Sequence, residues 1–152
     1  MYRQESEKQL AFDDFYLPFG GHLNPNNRWV KLAELIPWDE FEEEYAQQFD
    51  TTGQGAPAKT FRLALGALMI KEKLGITDEE TVEQIRENHY LQYLVGMEGY
   101  TDEHLFDPSM MVHFRRRITP EMLSQINERI HAEQVKKNEK RIRALRRKGK
   151  LS

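Results

Sequence analysis

Residues 60–74 read TFRLALGALMIKEKL, and no other stretch of the chain is apolar on nearly every side. Phe61, Leu63, Leu65, Leu68, Met69, Ile70 and Leu74, with Ala64, Gly66 and Ala67 as small fillers, leave little polar surface until Lys71, Glu72 and Lys73. A helix that is apolar all round belongs in the middle of a core. Gly75 follows, suited to the left-handed conformation that ends a helix. Thr77-Asp78-Glu79-Glu80 then has the spacing of a capping box, which starts another helix. Helix, tight turn and capped helix make the frame of a helix-turn-helix. The expected fold is all-α, a compact multi-helix domain with that core and a basic helical tail at the C-terminus.

On the N-terminal side, the loop TTGQGAPAK (51–59) delivers the chain to the central helix. Before it, Trp38, Phe41, Tyr45 and Phe49 form one helical stripe, with Asp39, Glu40, Glu42, Glu43 and Glu44 around the rest. Successive carboxylates on such a face diverge into solvent, so the cluster is read as surface rather than as a metal or acid–base site. A shorter helix carries Trp29, Leu32 and Leu35 or Ile36 and is stopped by Pro37. LAFDDFYLPFGGHL (10–23) is aromatic but broken by Pro18 and Gly20-Gly21. It is expected to be an extended arm packed by Phe12, Phe15 and Phe19.

On the C-terminal side, the capped helix turns Val82, Ile85 and His89 inward and Glu79, Glu83, Arg86 and Glu87 outward. That acidic face suits a scaffold better than a phosphate contact. A short apolar helix, YLQYLV, ends at Gly96 and is followed by the loop MEGYTDEHLF (97–106). Asp107-Pro108-Ser109 reads as the next helix start, with Asp107 as N-cap and Pro108 in the first turn. In SMMVHFRRRI, Met111, Phe114 and Ile118 turn inward, leaving Ser109, Val112, His113, Arg115, Arg116 and Arg117 on or near the outer surface. A short capped helix with a cationic outer side is the candidate recognition helix. Thr119 and Pro120 open the last helix, whose core stripe continues through Leu123, Ile126 and Ile130. Beyond Ala132 the stripe fails, and KKNEKRIRALRRKGK outruns the domain as a tail expected to be partly frayed without a partner. The expected division is 1–23 arm, 24–131 helical DNA-binding domain and 132–152 basic tail or linker.

The formal charge of −3 conceals a gradient: the net charge is −7 over residues 1–50, −5 over 51–107 and +9 over 108–152. One strongly cationic end is the footprint of a polyanionic partner, whereas the bland alternative is a solvated tail balancing an acidic body. The 152-residue length suits one domain with a core. Nothing is apolar for long enough to span a membrane, and the N-terminus lacks a signal-peptide pattern, so a cytoplasmic protein is expected. The absence of cysteine excludes disulfides, thiolate metal sites and cysteine nucleophiles. Glu128-Arg129-Ile130-His131 has the Glu-x-x-His spacing of di-iron bundles, but a second copy is not found. No phosphate loop, serine elbow or zincin motif is present either, so no catalytic centre is expected.

Three stretches taken together, HLNPNNRWVKLAELIPWDEFEEEYAQQF, GAPAKTFRLALGALMIKEKLGITDEETVEQIRENHYLQYLVGM and FDPSMMVHFRRRI, resemble a known family. They are similar to the N-terminal (InsH-like) domain of bacterial insertion-element transposases of the insertion-sequence-five class, over about 22–118. The resemblance implies a DNA-binding and assembly domain ahead of an RNase H-like domain whose acidic triad holds two Mg²⁺ ions. The chain ends at Ser152, leaving no room for that second domain, so no catalytic residue, metal or cofactor is expected here. The implied DNA-proximal residues are His113, Arg115, Arg116 and Arg117, then Asn88 and His89. Lys136, Lys137, Lys140, Arg141, Arg143, Arg146 and Arg147 match a basic linker in general character. The expected partner is duplex DNA at the element's terminal inverted repeats, without a membrane. The alternatives are an assembly module forming a homodimer, with the arginines in protein contacts, and a truncated regulator that occupies the element's ends.

Overall fold

The computed structural model describes residues 14–17, 21–49 and 59–149. Phe12, Phe19, the loop at 51–58 and Lys150 lie outside these. The described residues form seven helices and no strand: α1 (Arg28–Leu35), α2 (Trp38–Ala46), α3 (Phe61–Leu74), α4 (Asp78–Glu87), α5 (His89–Leu94), α6 (Met110–Arg117) and α7 (Pro120–Arg147). None of them is long and apolar enough to cross a membrane.

Helix α3 is the hub, as its composition demands. Every residue from Leu63 to Ile70 is buried, and α2, α4, α5 and α6 all pack on it. Burying one large apolar side chain is worth about 1.5–3 kcal/mol, so this one helix anchors much of the core. Its start is capped by Thr60, whose hydroxyl accepts from the Leu63 amide at 3.1 Å. Its end is Gly75 at φ 63°, a conformation that side chains with a Cβ disfavour. Gly66 serves closeness rather than freedom: a Cβ there would lie 2.9 Å from Val95 Cγ1, so its absence lets the α5 end sit against α3.

Thr77 caps α4 by accepting from the Glu80 amide at 3.0 Å, but the box is half made. Glu80 instead accepts from Gln84 Nε2 at 2.9 Å, one turn along the helix. Val82 and Ile85 are buried as expected. His89 does not extend their stripe, because Asn88 leaves helical geometry at φ −122° and caps α5 through bonds from the Tyr90 and Leu91 amides.

The start of α6 also differs from expectation. Asp107 is not its N-cap: its carboxylate closes a turn onto the Ser109 amide at 2.9 Å. Two short-range bonds follow, Met110 N to Asp107 O and Met111 N to Pro108 O, and the helix proper begins at Met110 with Ser109 as cap. The Ser109 bond also holds the Asp107 carboxyl below the usual carboxylate range.

The arm contributes Phe15, buried edge-on against Tyr93 at 6.1 Å, and an isolated bridge that pairs Tyr16 with Gly99. At the other end α7 runs unbroken through Ala132 as one 28-residue helix. Met122 and Ile126 are buried and Leu123 and Ile130 half-buried, after which nearly every side chain is exposed.

Candidate nucleic-acid interface

The three arginines of α6 are adjacent in sequence and do three different things. Met111, Phe114 and Ile118 are at most 1 % exposed and fix the helix on the core, with Phe106 edge-on to Phe114 at 5.3 Å. Arg115 therefore leans toward the start of α4, where its guanidinium forks onto both oxygens of Asp78 at 2.9 and 3.0 Å. Lys71 approaches the same carboxylate at 3.3 Å. Chiefly the Arg115 hydrogen bond, and then Lys71, lower the Asp78 carboxyl from its usual value. This cluster ties α3, α4 and α6 together.

Arg117 points toward α2. Its guanidinium lies 4.2 Å from the centre of the Phe49 ring, and its carbonyl accepts from Gln48 Nε2 at 2.8 Å. Burial pushes the nearby Tyr45 phenol up, and the Arg117 guanidinium opposes that rise. Cation, aromatic ring and backbone bond together pin the chain just past α2 to the end of α6.

Arg115 and Arg116 are both exposed, but Arg116 is the arginine turned outward without a carboxylate partner among the described residues. Ser109 and Val112 share the outer side of α6, with Val112 49 % exposed, while His113 is half-buried. The outer side of α6 thus offers one free guanidinium, a hydroxyl and an exposed aliphatic group.

Asn88 and His89 lie at the α4–α5 joint and are engaged locally. Asn88 spends its side-chain oxygen on the α5 cap, and the His89 ring packs on Tyr90 at 4.5 Å between centroids.

The largest cationic surface is the outer half of α7. Lys136, Lys137, Lys140, Arg141, Arg143, Arg146 and Arg147 are all exposed. Lys137 reaches Glu34 at 3.4 Å and Lys136 reaches Glu133 at 3.7 Å. Exposed pairs of this kind contribute about 0.2–1 kcal/mol, so both lysines can be drawn to a stronger anion. Lys148, at the C-cap, extends the same surface. Below this half, Arg129 Nη2 meets Glu40 at 2.8 Å, where α7 passes the acidic face of α2.

Sequence reasoning passed over two polar residues that shape the site's support, the half-buried Arg62 and the buried Gln92. Arg62 donates to the Leu94 and Tyr93 carbonyls at 2.9 and 2.8 Å and lies 4.8 Å from the Trp38 ring centre. It adds donors to the last carbonyls of α5, of which that of Tyr93 also accepts from the Gly96 amide. Gln92, fully buried, donates to the Ile85, Arg86 and Thr101 carbonyls and accepts from the Thr101 amide. It holds the loop before α6 against the α4–α5 joint. The signal was present in both cases: a lone polar side chain inside an otherwise apolar run must bring its own partners.

That loop is held on its far side by charge. Arg86 bridges Glu83 at 2.8 Å and Asp102 at 3.3 Å, and His104 contacts the same Glu83 carboxylate. The Arg86 hydrogen bond first, and the His104 contact second, lower the Glu83 carboxyl.

Comparison with known proteins gives this arrangement a family. The uncharacterized protein ORF8 in the nfe locus of Rhizobium meliloti is 36 % identical over 104 residues, which is 68 % of this chain and 49 % of that protein. The chain spans about half the length of that relative. No solved structure matches. The model of the transposase domain family DUF772 matches residues 18–117, ending with the last residue of α6 and leaving α7 outside. The chain belongs to the DUF772 transposase domain family.

Proposed function

We propose that this chain is the DNA-binding part of a transposase, and that it recognises the terminal inverted repeats of an insertion element of the insertion-sequence-five class. The carrying observation is the outer half of α7, an exposed cationic helix on a body that is otherwise acidic. Its lysines and arginines bind backbone phosphates without regard to sequence and give affinity a steep salt dependence. Base reading falls to the outer side of α6, where Arg116 can fork onto guanine O6 and N7 and Val112 can meet a thymine methyl group. Arg115 and Arg117 act indirectly, by fixing the pose of α6 against α4 and α2. Asn88 and His89 take the same supporting part at the α4–α5 joint, and His113 lies at the edge of the α6 surface.

In this reading 24–131 is the binding domain, 1–23 its arm and 132–152 the tail that tracks the backbone. The α3–Gly75–α4 unit serves as a helix-turn-helix scaffold, and the protein works in the cytoplasm at the nucleoid. Cleavage and strand transfer belong to a separate catalytic domain.

Selection of the purified chain against random duplexes tests the reading. An enriched motif that Arg116→Ala abolishes, while Arg115→Ala mainly lowers stability, is the expected result. Equal losses on enriched and random duplexes from Arg116→Ala contradict base reading by α6.

A second reading, an assembly module or non-catalytic regulator, draws support from the same arginines. Two of the three make contacts within the protein, as an assembly scaffold would have them.

A further inference from the structure

The outer half of α7 carries more than charge. Val135 and Ile142 are 40 % and 42 % exposed, two of the few large apolar side chains on the surface among the described residues. With Asn138 and the half-buried Leu145 they recur at spacings of three and four. That is the a and d pattern of a two-helix seam. Val135 and Ile142 lie on the side of α7 away from the core, with Asn138 and Leu145 roughly 100–120° around the helix from Ile126. At 3.6 residues per turn, Val135 and Ile142 sit roughly 160–180° around the helix from buried Ile126. Toward the body the same repeat continues through Ser124, Glu128 and His131, which line a groove with Glu72 and Asn127.

We propose that this stripe is the seam of a homodimer in which the outer half of α7 pairs antiparallel with that of a second copy. Charge at the edges of the stripe chooses the direction. In an antiparallel pair with Val135 opposite Leu145 of the second copy, Glu139 falls opposite Arg146 on both sides of the two-fold axis. In a parallel pair Arg141 faces Arg146 twice, which repels. The antiparallel register also carries the cationic end of each helix, Arg147 and Lys148, toward the groove edged by Glu72 and Glu128. The helix is already formed to Arg147 and rooted by Met122 and Ile126, so pairing costs little ordering. Between residues 133 and 148 stand eight cations against two carboxylates. Net repulsion therefore weakens the dimer at low ionic strength, and screening by salt strengthens it. The inference rests on and deepens the assembly reading, and because it shares the outer half of α7 with the proposed DNA contacts it is tested without DNA.

The chain contains no cysteine, so engineered cysteines report the geometry cleanly. Neither Val135 nor Leu145 belongs to the core, which leaves the fold of Val135→Cys and Leu145→Cys chains undisturbed. Without DNA, and at about 1 M salt where the screening length is roughly 3 Å, a mixture of the two variants is expected to form the mixed disulfide under mild oxidation. Each variant alone should stay largely reduced. Sedimentation of the unmodified chain should show a dimer that strengthens with salt. At about 0.15 M salt, where the screening length is roughly 8 Å, Glu139→Arg should weaken association on the order of ten-fold, and adding Arg146→Glu should restore it. Disulfides formed by each variant with itself overturn the antiparallel register. A dimer by sedimentation without any cross-link overturns the seam but leaves assembly through another surface. A strict monomer overturns both.

Discussion

Helix α3 and the outer half of α7 are both regular helices, and they stand for opposite reasons. In α3 the backbone is held because eight successive residues, from Leu63 to Ile70, are buried against the surrounding helices. In α7 beyond Ile130 almost nothing is buried, and the helix extends from its rooted first turns. Isolated helices of that length are marginal in water, so tertiary anchoring at Met122 and Ile126 keeps the outer half in register. The contrast separates what makes the protein fold from what it has to offer: α3 is interior from Leu63 to Ile70, and outer α7 is surface at nearly every position.

Substitutions should respect that division. Leu65→Ala, at a fully buried site in α3, is expected to cost about 2–5 kcal/mol by urea unfolding, enough to threaten folding. Gly66→Ala should cost about 1–3 kcal/mol, because the new methyl meets Val95 Cγ1 and the α5 end must shift. Arg116→Ala, on the outer surface, should leave unfolding unchanged and cost about 1–3 kcal/mol on a selected duplex.

Asp78 lies between these extremes. Its carboxyl is lowered in the folded protein, chiefly by Arg115, so the triad's contribution is present above the unfolded carboxylate value, near 3.9. That contribution is lost as pH falls through the lower folded value. Asp78→Asn should therefore cost about 0.2–1 kcal/mol at neutral pH, discounted because all three partners are partly exposed, and the difference should vanish in acid. A difference that persists at pH 2 would mean that the ionised carboxylate is not what joins α4 to α6. Ile142→Ala should be the mildest, within about 0.5 kcal/mol for the monomer.

Much of the interior was legible from periodicity. TFRLALGALMIKEKL could be nothing but a central helix, and Gly75, Thr77 and Thr119 mark boundaries that the structure keeps. Met111, Phe114 and Ile118 are buried as their spacing required. Less legible was whatever depends on a partner far away in sequence. Asp107 looked like a cap, yet its side chain bends to Ser109 and delays the helix. His89 looked like the next residue of an inward stripe until the Asn88 cap broke the helix before it.

The arginines of α6 carry the plainest lesson. Charge counting placed Arg115, Arg116 and Arg117 in one patch. Arg115 pairs with a carboxylate 37 positions earlier, and Arg117 covers a ring that follows α2, which no local pattern reports. The expectation that α7 would fray also fell short, since the helix is regular to Arg147. Its first turns are tied to the core at Met122 and Ile126, which holds the helix although like charges such as Lys136 and Lys140 stand one turn apart.

The most direct test is the affinity of the chain for a selected duplex, followed from about 50 to 200 mM salt, beside a variant with Lys140, Arg143 and Arg147 changed to glutamate. If outer α7 tracks the DNA backbone, log K falls linearly with log salt for the unmodified chain, with a slope of about −0.9 for each phosphate neutralised. The variant should then bind more weakly with a flatter slope while its stability stays the same. Binding that is absent, or equally strong and equally salt-dependent in both proteins, would contradict the assignment of this helix to DNA.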